Sequence, residues 1–241
     1  MPQPQDMRTV LISGASSDIG LALCRRYLAA DWRIIAHFRT PRPELEKLVC
    51  PALQTWQADF ADTQRLEREL RERRDYLSRA DAFVNLAAMV PPCSFEMATA
   101  GRILSTLATN LLPGLLIMQT VAPAMVERHW GRIVHASSIG VKFGGAADNF
   151  LYSLSKHCQE FIPRAARSWA KNGVFVNVVR VGVTATRAFA NDPPGRLAER
   201  VAKIPARRAA DAAEIAEFLW WLASENNGFV SGEVLSAAGG E

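Results

Sequence analysis

Tyr152 and Lys156 are the two residues of this chain whose types and spacing most directly suggest chemistry. They stand four residues apart in a segment with a helical pattern, so they lie one turn from each other on the same helix face. A free tyrosine has a pKa of about 10, too high for efficient proton exchange near neutrality. A neighbouring lysine ammonium would lower the pKa of Tyr152 and make it a usable acid or base. Because Tyr-x-x-x-Lys also occurs by chance in amphipathic helices, the pair requires support from other parts of the chain.

A pair of serines stands where a substrate oxygen would need a hydrogen-bond donor. Ser137 and Ser138 end the predicted strand in GRIVHASSIG, shortly before the helix that carries Tyr152. In a doubly wound sheet, the carboxyl end of a strand beside the next helix opens the ligand crevice. A serine hydroxyl at this point can donate to the substrate oxygen while Tyr152 supplies the proton.

A glycine-containing turn, Ser13-Gly14-Ala15-Ser16-Ser17-Asp18-Ile19-Gly20, follows the first predicted strand and leads directly into a helical pattern. Glycines in such a turn let backbone N–H groups approach a pyrophosphate at the helix N-terminus, where the helix dipole favours anions. An ordinary strand-to-helix corner would need similar residues. The position of the turn after the first strand of an alternating α/β chain favours the dinucleotide interpretation.

The end of the second predicted strand, IIAHFRTPRPE, indicates which dinucleotide would bind. An acidic residue at this place selects NAD through the ribose hydroxyls, whereas an arginine accommodates the 2′-phosphate of NADP. The segment has no acid before Glu44, and Arg39 and Arg42 are at hand. A guanidinium fork suits a phosphate dianion better than a diol, so NADP(H) is favoured over the alternative of a plain surface arginine.

The elements that must position these residues alternate along the whole chain, which predicts an α/β protein with a parallel sheet covered on both faces. The predicted strands are Arg8 to Ser13, Trp32 to Phe38, Leu53 to Gln57, Asp81 to Leu86, Gly131 to Ser137, Gly173 to Arg180 and Glu233 to Ser236. The predicted helices are Ile19 to Ala30, Thr63 to Ser78, Glu96 to Arg128, Leu151 to Asn172 and Ala212 to Ala223. We expect one doubly wound Rossmann domain over residues 1–241, with a seven-stranded, mostly parallel sheet and a substrate loop at about 184–208.

Composition excludes several function classes. The chain is 49% hydrophobic and 22% charged, as in ordinary globular proteins. Its net charge of +4 could attract nucleic acid, but the densest charged run alternates in sign, so we expect no nucleic-acid partner. No apolar run approaches the ~20 residues of a membrane span and no secretion signal is seen. The four scattered cysteines predict free thiols in a reducing cytoplasm, and no metal-ligand cluster is visible.

These motifs together resemble the short-chain dehydrogenase/reductase family, and the resemblance covers nearly the whole chain. The family's turn is Thr-Gly-x-x-x-Gly-x-Gly; this chain has a hydroxyl at Ser13 and the first and last glycines, but Asp18 at the middle glycine. A carboxylate there is electrostatically unhelpful to a diphosphate. In this turn the resemblance implies cofactor contacts at Gly14, Ser16, Ile19 and Gly20.

The resemblance also implies further site residues. Ser138 would be the catalytic serine, with Ser137 as the fallback, and Asn110 would hold a water in a helix kink beside Pro113, forming a proton relay with Lys156. Arg39 is already indicated by the end of the second strand; the other cofactor-binding residues that the resemblance implies are Asp59, Phe60, Asn85, Ala87, Tyr152, Lys156, Gly182 and Thr186. Leu86, Ala88 and Val181 depart from the family pattern. Pro163 falls inside a helix expected to be continuous, where it should introduce a kink and cost about 3 kcal/mol.

The resulting hypothesis is an NADP(H)-dependent ketoreductase in which Tyr152 is the acid or base. We expect a small-molecule or thioester carbonyl substrate and a homotetramer or homodimer. Phe189, Arg196, Arg207 and Arg208 in the loop hint at an extended or anionic ligand. Two alternatives stay open: a non-catalytic NADP-binding sensor or scaffold, and a dehydratase or epimerase of the family's extended branch, which usually has a larger C-terminal domain.

Overall fold

Seven strands form one parallel sheet in the computed structural model, which describes residues 7–187 and 195–241. The strands are β1 (Thr9–Ser13), β2 (Arg33–Phe38), β3 (Leu53–Gln57), β4 (Ala82–Asn85), β5 (Gly131–Ser138), β6 (Val174–Val181) and β9 (Val234–Ala237). Their order is β3-β2-β1-β4-β5-β6-β9. The chain therefore reverses its winding direction between β1 and β4, and the carboxyl ends of these two strands open the crevice of a doubly wound sheet. The predicted Rossmann fold is confirmed.

Helices cover both faces of this sheet. Their bounds are α1 (Asp18–Leu28), α2 (Pro43–Glu46), α3 (Thr63–Glu72), α4 (Arg74–Leu77), α5 (Ala100–Asn110), α6 (Leu112–Glu127), α7 (Phe150–Gln159), α8 (Arg164–Ser168), α9 (Arg196–Lys203) and α10 (Ala212–Leu222). The alternation of side chains along a strand divides the core in two. Val10 and Ile12 of β1 pack with α1 and α10, whereas Leu11 packs on the opposite face with α3 and α6.

The helix predicted over Glu96 to Arg128 is divided in the structure. It starts only at Ala100 and breaks at Leu111, so that Asn110 is the last residue of α5. Pro113 lies in the first turn of α6, where its missing N–H has no intrahelical partner to lose. By length and composition alone, the segment Ala100–Glu127 could span a membrane. In this structure, however, Ile117, Val121 and Met125 of this segment are buried against the sheet.

The helix predicted over Leu151 to Asn172 is also wrong as a single element. α7 ends at Gln159, and Pro163 is the residue that precedes α8. A 3₁₀ turn, Trp169–Asn172, then leads into β6. Because Pro163 lies between two helices, its ring interrupts no helical hydrogen bond, and the expected kink within one helix does not arise.

The region predicted as a substrate loop contains regular structure. Two short strands, β7 (Thr184–Ala185) and β8 (Ala210–Asp211), pair in parallel, and α9 lies between them. Phe189 lies outside the described residues. Two of its arginines are held by acids, Arg196 by both oxygens of Asp148 and Arg208 by both oxygens of Glu214. These ion pairs weaken the suggestion that the two arginines are presented to an anionic ligand.

Candidate active site

Two adjoining pockets open at the carboxyl edge of the sheet, on either side of the turn that links β1 to α1. The β2-side pocket occupies about 760 Å³ and the β5-side pocket about 780 Å³, both including space open to solvent. Cofactor and substrate sites commonly have this size. Residues lining the β2-side pocket include Gly14, Ser16, His37, Arg39, Asp59, Phe60 and Ala87. Those lining the β5-side pocket include Asp18, Ile19, Tyr152, Lys156, Val181 and Thr186.

The Ser138 hydroxyl lies beside the Tyr152 phenol, where hydrogen bonding between them acts to lower the pKa of Tyr152; Tyr152 lines the β5-side pocket together with Ser137. Ser138 ends β5 and Tyr152 lies in the first turn of α7, so two different elements converge on this point. The Ser137 hydroxyl lies instead 2.8 Å from Glu160 Oε1 and 3.2 Å from the Lys156 carbonyl oxygen. Between the two serines left as alternatives, the geometry therefore places Ser138 beside the phenol.

Burial dominates the proton chemistry of this pocket. It raises the pKa of Tyr152, and the hydrogen bond with Ser138 only partly opposes this effect. Burial also lowers the pKa of Lys156 to about 7. The expectation that Lys156 lowers the pKa of Tyr152 is therefore wrong for the protein alone. Its ammonium lies 5.8 Å from the centroid of the tyrosine ring, and it donates to the Ala136 carbonyl at 2.6 Å and to Gln159 Oε1 at 2.9 Å.

Gln159 is a site residue that sequence reasoning missed. Its amide accepts from Lys156 Nζ and donates to the Asn110 carbonyl oxygen at 3.3 Å, so the side chain bridges the two residues expected to form a relay. The Asn110 side chain is bound elsewhere, to both backbone groups of Met89 and to the Ser155 hydroxyl. The available signal was spacing, because a glutamine three residues after Lys156 shares its helix face.

Close approach of backbone segments explains both glycines of the turn. Gly14 has φ +72°, and a Cβ on it would lie 2.9 Å from the Ala87 backbone nitrogen. A Cβ on Gly20 would lie 2.4 Å from the Gly14 carbonyl oxygen. Gly20 therefore packs behind the turn rather than lining a pocket, whereas Ser16 and Ile19 line one pocket each. The Ser17 side chain caps α1 by accepting from the Gly20 amide.

Asp18, the main departure from the family's turn, is held by two arginines. Its Oδ1 accepts from Arg42 Nη1 at 2.7 Å, and its Oδ2 accepts from the backbone N–H of Arg187 at 2.7 Å. Burial by itself would raise the pKa of Asp18, but these partners outweigh it and the pKa lies below its usual value. The carboxylate is thus ionised, and its charge is balanced by arginines of the protein. This balance reduces the repulsion expected between Asp18 and a diphosphate.

The same contacts distinguish the two arginines after β2. Arg42 binds Asp18, the Ser16 carbonyl and Glu44, so its guanidinium is already occupied. Arg39 lines the β2-side pocket, and its guanidinium has no hydrogen-bond partner among the described residues. Of these two arginines, Arg39 is consequently the one available to a ligand phosphate.

Two predicted cofactor residues lie behind the pockets. The Asn85 side chain is buried, accepting from Ser13 Oγ at 2.6 Å and lying 3.1 Å from His135 Nδ1. Since Ser13 Oγ in turn accepts from the Leu86 and Ala87 amides, Asn85 supports the turn from below. Gly182 packs against the end of the last strand and the residue after it, because a Cβ would lie 3.0 Å from the Ala237 carbonyl oxygen and 2.6 Å from Ala238 Cα.

His37 is a second residue that sequence reasoning missed. It lies at the buried end of β2 and stacks on Phe60, with ring centroids 3.8 Å apart and planes at 4°. Its Nε2 lies 3.1 Å from the Ala58 carbonyl oxygen, and burial lowers its pKa to about 4. The uncharged ring and Phe60 therefore form a flat wall of the β2-side pocket.

Comparisons with known proteins find relatives that match along nearly the whole chain. A family model described as enoyl-(acyl carrier protein) reductase matches residues 14–241. The chain is 31% identical over 246 residues to an acetoacetyl-CoA reductase of Acinetobacter sp., covering 98% of both chains. It is 27% identical to an acetoacetyl-CoA reductase of Cupriavidus necator, covering 97% of both. A 3-oxoacyl (acyl-carrier-protein) reductase of Agrobacterium tumefaciens solved with NADP bound is 25% identical with a TM-score of 0.86, covering 97% of this chain and 94% of that one.

The chain belongs to the short-chain dehydrogenase/reductase family. As a member it is an oxidoreductase that acts on hydroxyl and keto groups with a nicotinamide cofactor. The pockets fit such a cofactor. The turn at Gly14, where a Cβ would leave no room, and the N-terminus of α1 lie between the two pockets. The Arg39 side chain, which has no partner among the described residues, lines the β2-side pocket beside the stacked rings of His37 and Phe60. Within residues 7–187 and 195–241, no three His, Cys, Asp or Glu side chains are grouped as a metal site requires.

Proposed function

We propose that this short-chain dehydrogenase/reductase reduces the ketone of a small-molecule or thioester substrate with NADPH. The observation that carries the proposal is that Tyr152 and Lys156 line the same pocket and that the Ser138 hydroxyl interacts with the Tyr152 phenol. Two hydroxyls that converge on one point can both contact a single substrate oxygen. Preorganised donors of this kind stabilise the charge that develops on a carbonyl oxygen during reduction.

The pKa values favour the protonated phenol that reduction requires. Because burial raises the pKa of Tyr152, the phenol keeps its proton near neutrality and can give it to the substrate oxygen. Lys156, with a pKa of about 7, can hold or release a proton at the same pH. When bound, the nicotinamide supplies the hydride that the carbonyl carbon receives. Ser138 would orient the substrate oxygen, and Asn110 would act as a positioning residue through Gln159.

The preference for NADP over NAD rests on Arg39. The proposed nucleotide contacts in the β2-side pocket are Gly14, Ser16, Arg39, Asp59, Phe60 and Ala87; those in the β5-side pocket are Ile19, Tyr152, Lys156 and Thr186. Gly20, Asn85 and Gly182 would act by shaping the backbone beside them. An arginine without a protein partner in a nucleotide pocket suits a 2′-phosphate.

The substrate class follows from the relatives. Several are named for reducing acetoacetyl-CoA or 3-oxoacyl-acyl-carrier-protein, so a 3-oxoacyl thioester is the substrate we infer. Residues 1–241 would act as one catalytic domain, with residues 184–208 next to the substrate. Exposed apolar side chains on the α5–α7 side, Leu104, Leu112 and Phe161, are compatible with a homotetramer or homodimer. Four free cysteines suit a cytoplasmic protein.

The test is NADPH oxidation with acetoacetyl-CoA, a panel of simple ketones, and crotonyl-CoA as the enoyl substrate suggested by the family model's description. Turnover of a ketone, with NADPH preferred over NADH, supports the proposal. Binding of NADPH without consumption of any carbonyl would instead support the sensor alternative. Reduction of crotonyl-CoA alone would replace ketone reduction by alkene reduction.

A further inference from the structure

The two pockets meet at a junction that a bound dinucleotide would have to cross. Among the described residues, those lining both pockets are Ser17, Leu86, Ala88 and Arg187. A dinucleotide with one nucleoside in each pocket must place its diphosphate here, because the diphosphate joins the two nucleosides. Of these four residues, Arg187 alone carries a charge.

Asp18 fixes the backbone of Arg187 at this junction. The carboxylate accepts from the Arg187 backbone N–H at 2.7 Å and lies 3.4 Å from Nε of the same residue. The two residues are 169 positions apart in the chain, so this contact attaches the segment after β7 to the first turn of α1. That turn is where backbone N–H groups and the helix dipole favour an anion.

The Arg187 guanidinium is only loosely used by the protein. Its contact with Asp18 is a 3.4 Å ion pair, whereas Arg42 binds the same carboxylate oxygen at 2.7 Å. Arg42 is also the more buried of the two, with 11% of its side chain exposed against 61% for Arg187. No described residue accepts a hydrogen bond from the Arg187 guanidinium. Arg42 already neutralises the Asp18 carboxylate at shorter range, so the presence of the Arg187 guanidinium here is not explained by neutralisation of Asp18.

We propose that the Arg187 guanidinium binds the diphosphate of the cofactor and that Asp18 is the positioning residue that places it there. Guanidinium groups form paired, charge-assisted hydrogen bonds with phosphates. The Asp18 carboxylate, which replaces a family glycine, is useful in this arrangement because it anchors a cation that faces the diphosphate. The proposal rests on dinucleotide binding by the proposed function and adds the residue pair that recognises the centre of the molecule.

The test measures dissociation constants of NADPH, NADH and 2′-AMP for the full chain, by calorimetry or by displacement of bound NADPH. NADH lacks the 2′-phosphate, and 2′-AMP lacks the diphosphate. The variants are Arg187→Gln, Arg39→Gln, and Arg208→Gln as a control for the loss of one surface charge. For Arg187→Gln we expect binding of both dinucleotides to weaken about ten- to hundredfold, with 2′-AMP unchanged. For Arg39→Gln we expect weaker binding of NADPH and 2′-AMP, with the binding of NADH unchanged.

Asp18→Ala tests the positioning role. If the carboxylate only repels the diphosphate, its removal tightens dinucleotide binding. If it places Arg187, removal weakens binding, and adding it to Arg187→Gln has little further effect because both changes remove the same interaction. The proposal would be overturned if the Arg187→Gln variant bound both dinucleotides within twofold of the parent affinity. It would also be overturned if the variant lost affinity for 2′-AMP as much as for the dinucleotides. A parent protein that binds neither dinucleotide would refute the proposed function itself, and this inference with it.

Discussion

Lys156 donates a 2.9 Å hydrogen bond to the side chain of Gln159, one turn further along α7. This acceptor stabilises the charged form of a buried lysine, so we expect Gln159→Leu to lower the pKa of Lys156 further and Gln159→Glu to raise it. The pH dependence of kcat for ketone reduction is the measurement. The limb that reports Lys156 should move to lower pH in the first variant and to higher pH in the second. Movement of both variants in one direction would show that packing, not the hydrogen bond, is responsible.

Tyr152→Phe should reduce turnover by at least about a hundredfold, since it removes the proton donor. Binding of NADPH, measured by fluorescence, should survive because the two pockets keep their shape. Ser137→Ala is the matched control, since Ser137 also lines the pocket but its hydroxyl donates to Glu160 rather than to the phenol, and Ser138→Ala should lose much more activity than Ser137→Ala. Turnover retained in Tyr152→Phe would refute its assignment as the acid.

The ratio of kcat/KM for NADPH and NADH should depend on Arg39 and not on Arg42. Arg39→Gln should lower the ratio by about ten- to hundredfold, because it removes a charge-assisted contact with the 2′-phosphate. Arg42→Gln should leave the ratio unchanged, since that guanidinium is committed to Asp18 and Glu44. A larger effect on the ratio at Arg42 would reverse the assignment of the two arginines.

The buried Lys156 makes stability depend on pH in a defined window. Its pKa is about 7 in the folded protein, against an ordinary value of 10.5 in the unfolded chain. Between these values the unfolded chain holds a proton that the folded protein has lost, so stability rises with pH, by at most about 1.4 kcal/mol per pH unit from this group. Urea unfolding of the parent and of Lys156→Met at pH 6.5 to 9 should show that the parent gains stability relative to the variant. Parallel curves would contradict the lowered pKa.

Glu160 should be important for stability although it touches neither pocket. Its carboxylate binds Arg180 through both oxygens, at 2.8 and 2.6 Å, and accepts from Ser137. Because the Glu160 side chain is only 8% exposed, Glu160→Ala leaves Arg180 with an uncompensated charge and should destabilise the fold by about 3 kcal/mol. Glu217→Ala, which breaks the exposed pair with Arg26, should change stability by about 0–1 kcal/mol in the same urea titration. Equal losses would contradict the role given to burial.

The sequence was sufficient to predict the sheet, the glycine turn and the Tyr152–Lys156 pair, because these depend on short-range signals. Alternation of apolar residues follows from strand and helix geometry, and four residues always make one helical turn. Helix ends were harder to predict. Asn110 and Gln159 end helices inside segments that have a continuous helical pattern, and Pro163 indicated a bend without showing that the chain would leave the helix altogether.

Which partner each polar side chain selects was decided only by the tertiary structure. No residue near Asp18 in the chain predicts its contact with Arg187. Likewise, Arg39 and Arg42 can be distinguished only in the structure, where Arg39 lines a pocket and Arg42 binds a carboxylate. The same holds for Lys156, whose ammonium is held by Ala136 and Gln159. The physical reason is that hydrogen bonds and charges act over a few ångströms of space between residues that are distant in the chain. Their outcome depends on competition among all the groups that folding brings into reach, whereas secondary structure depends mainly on immediate neighbours.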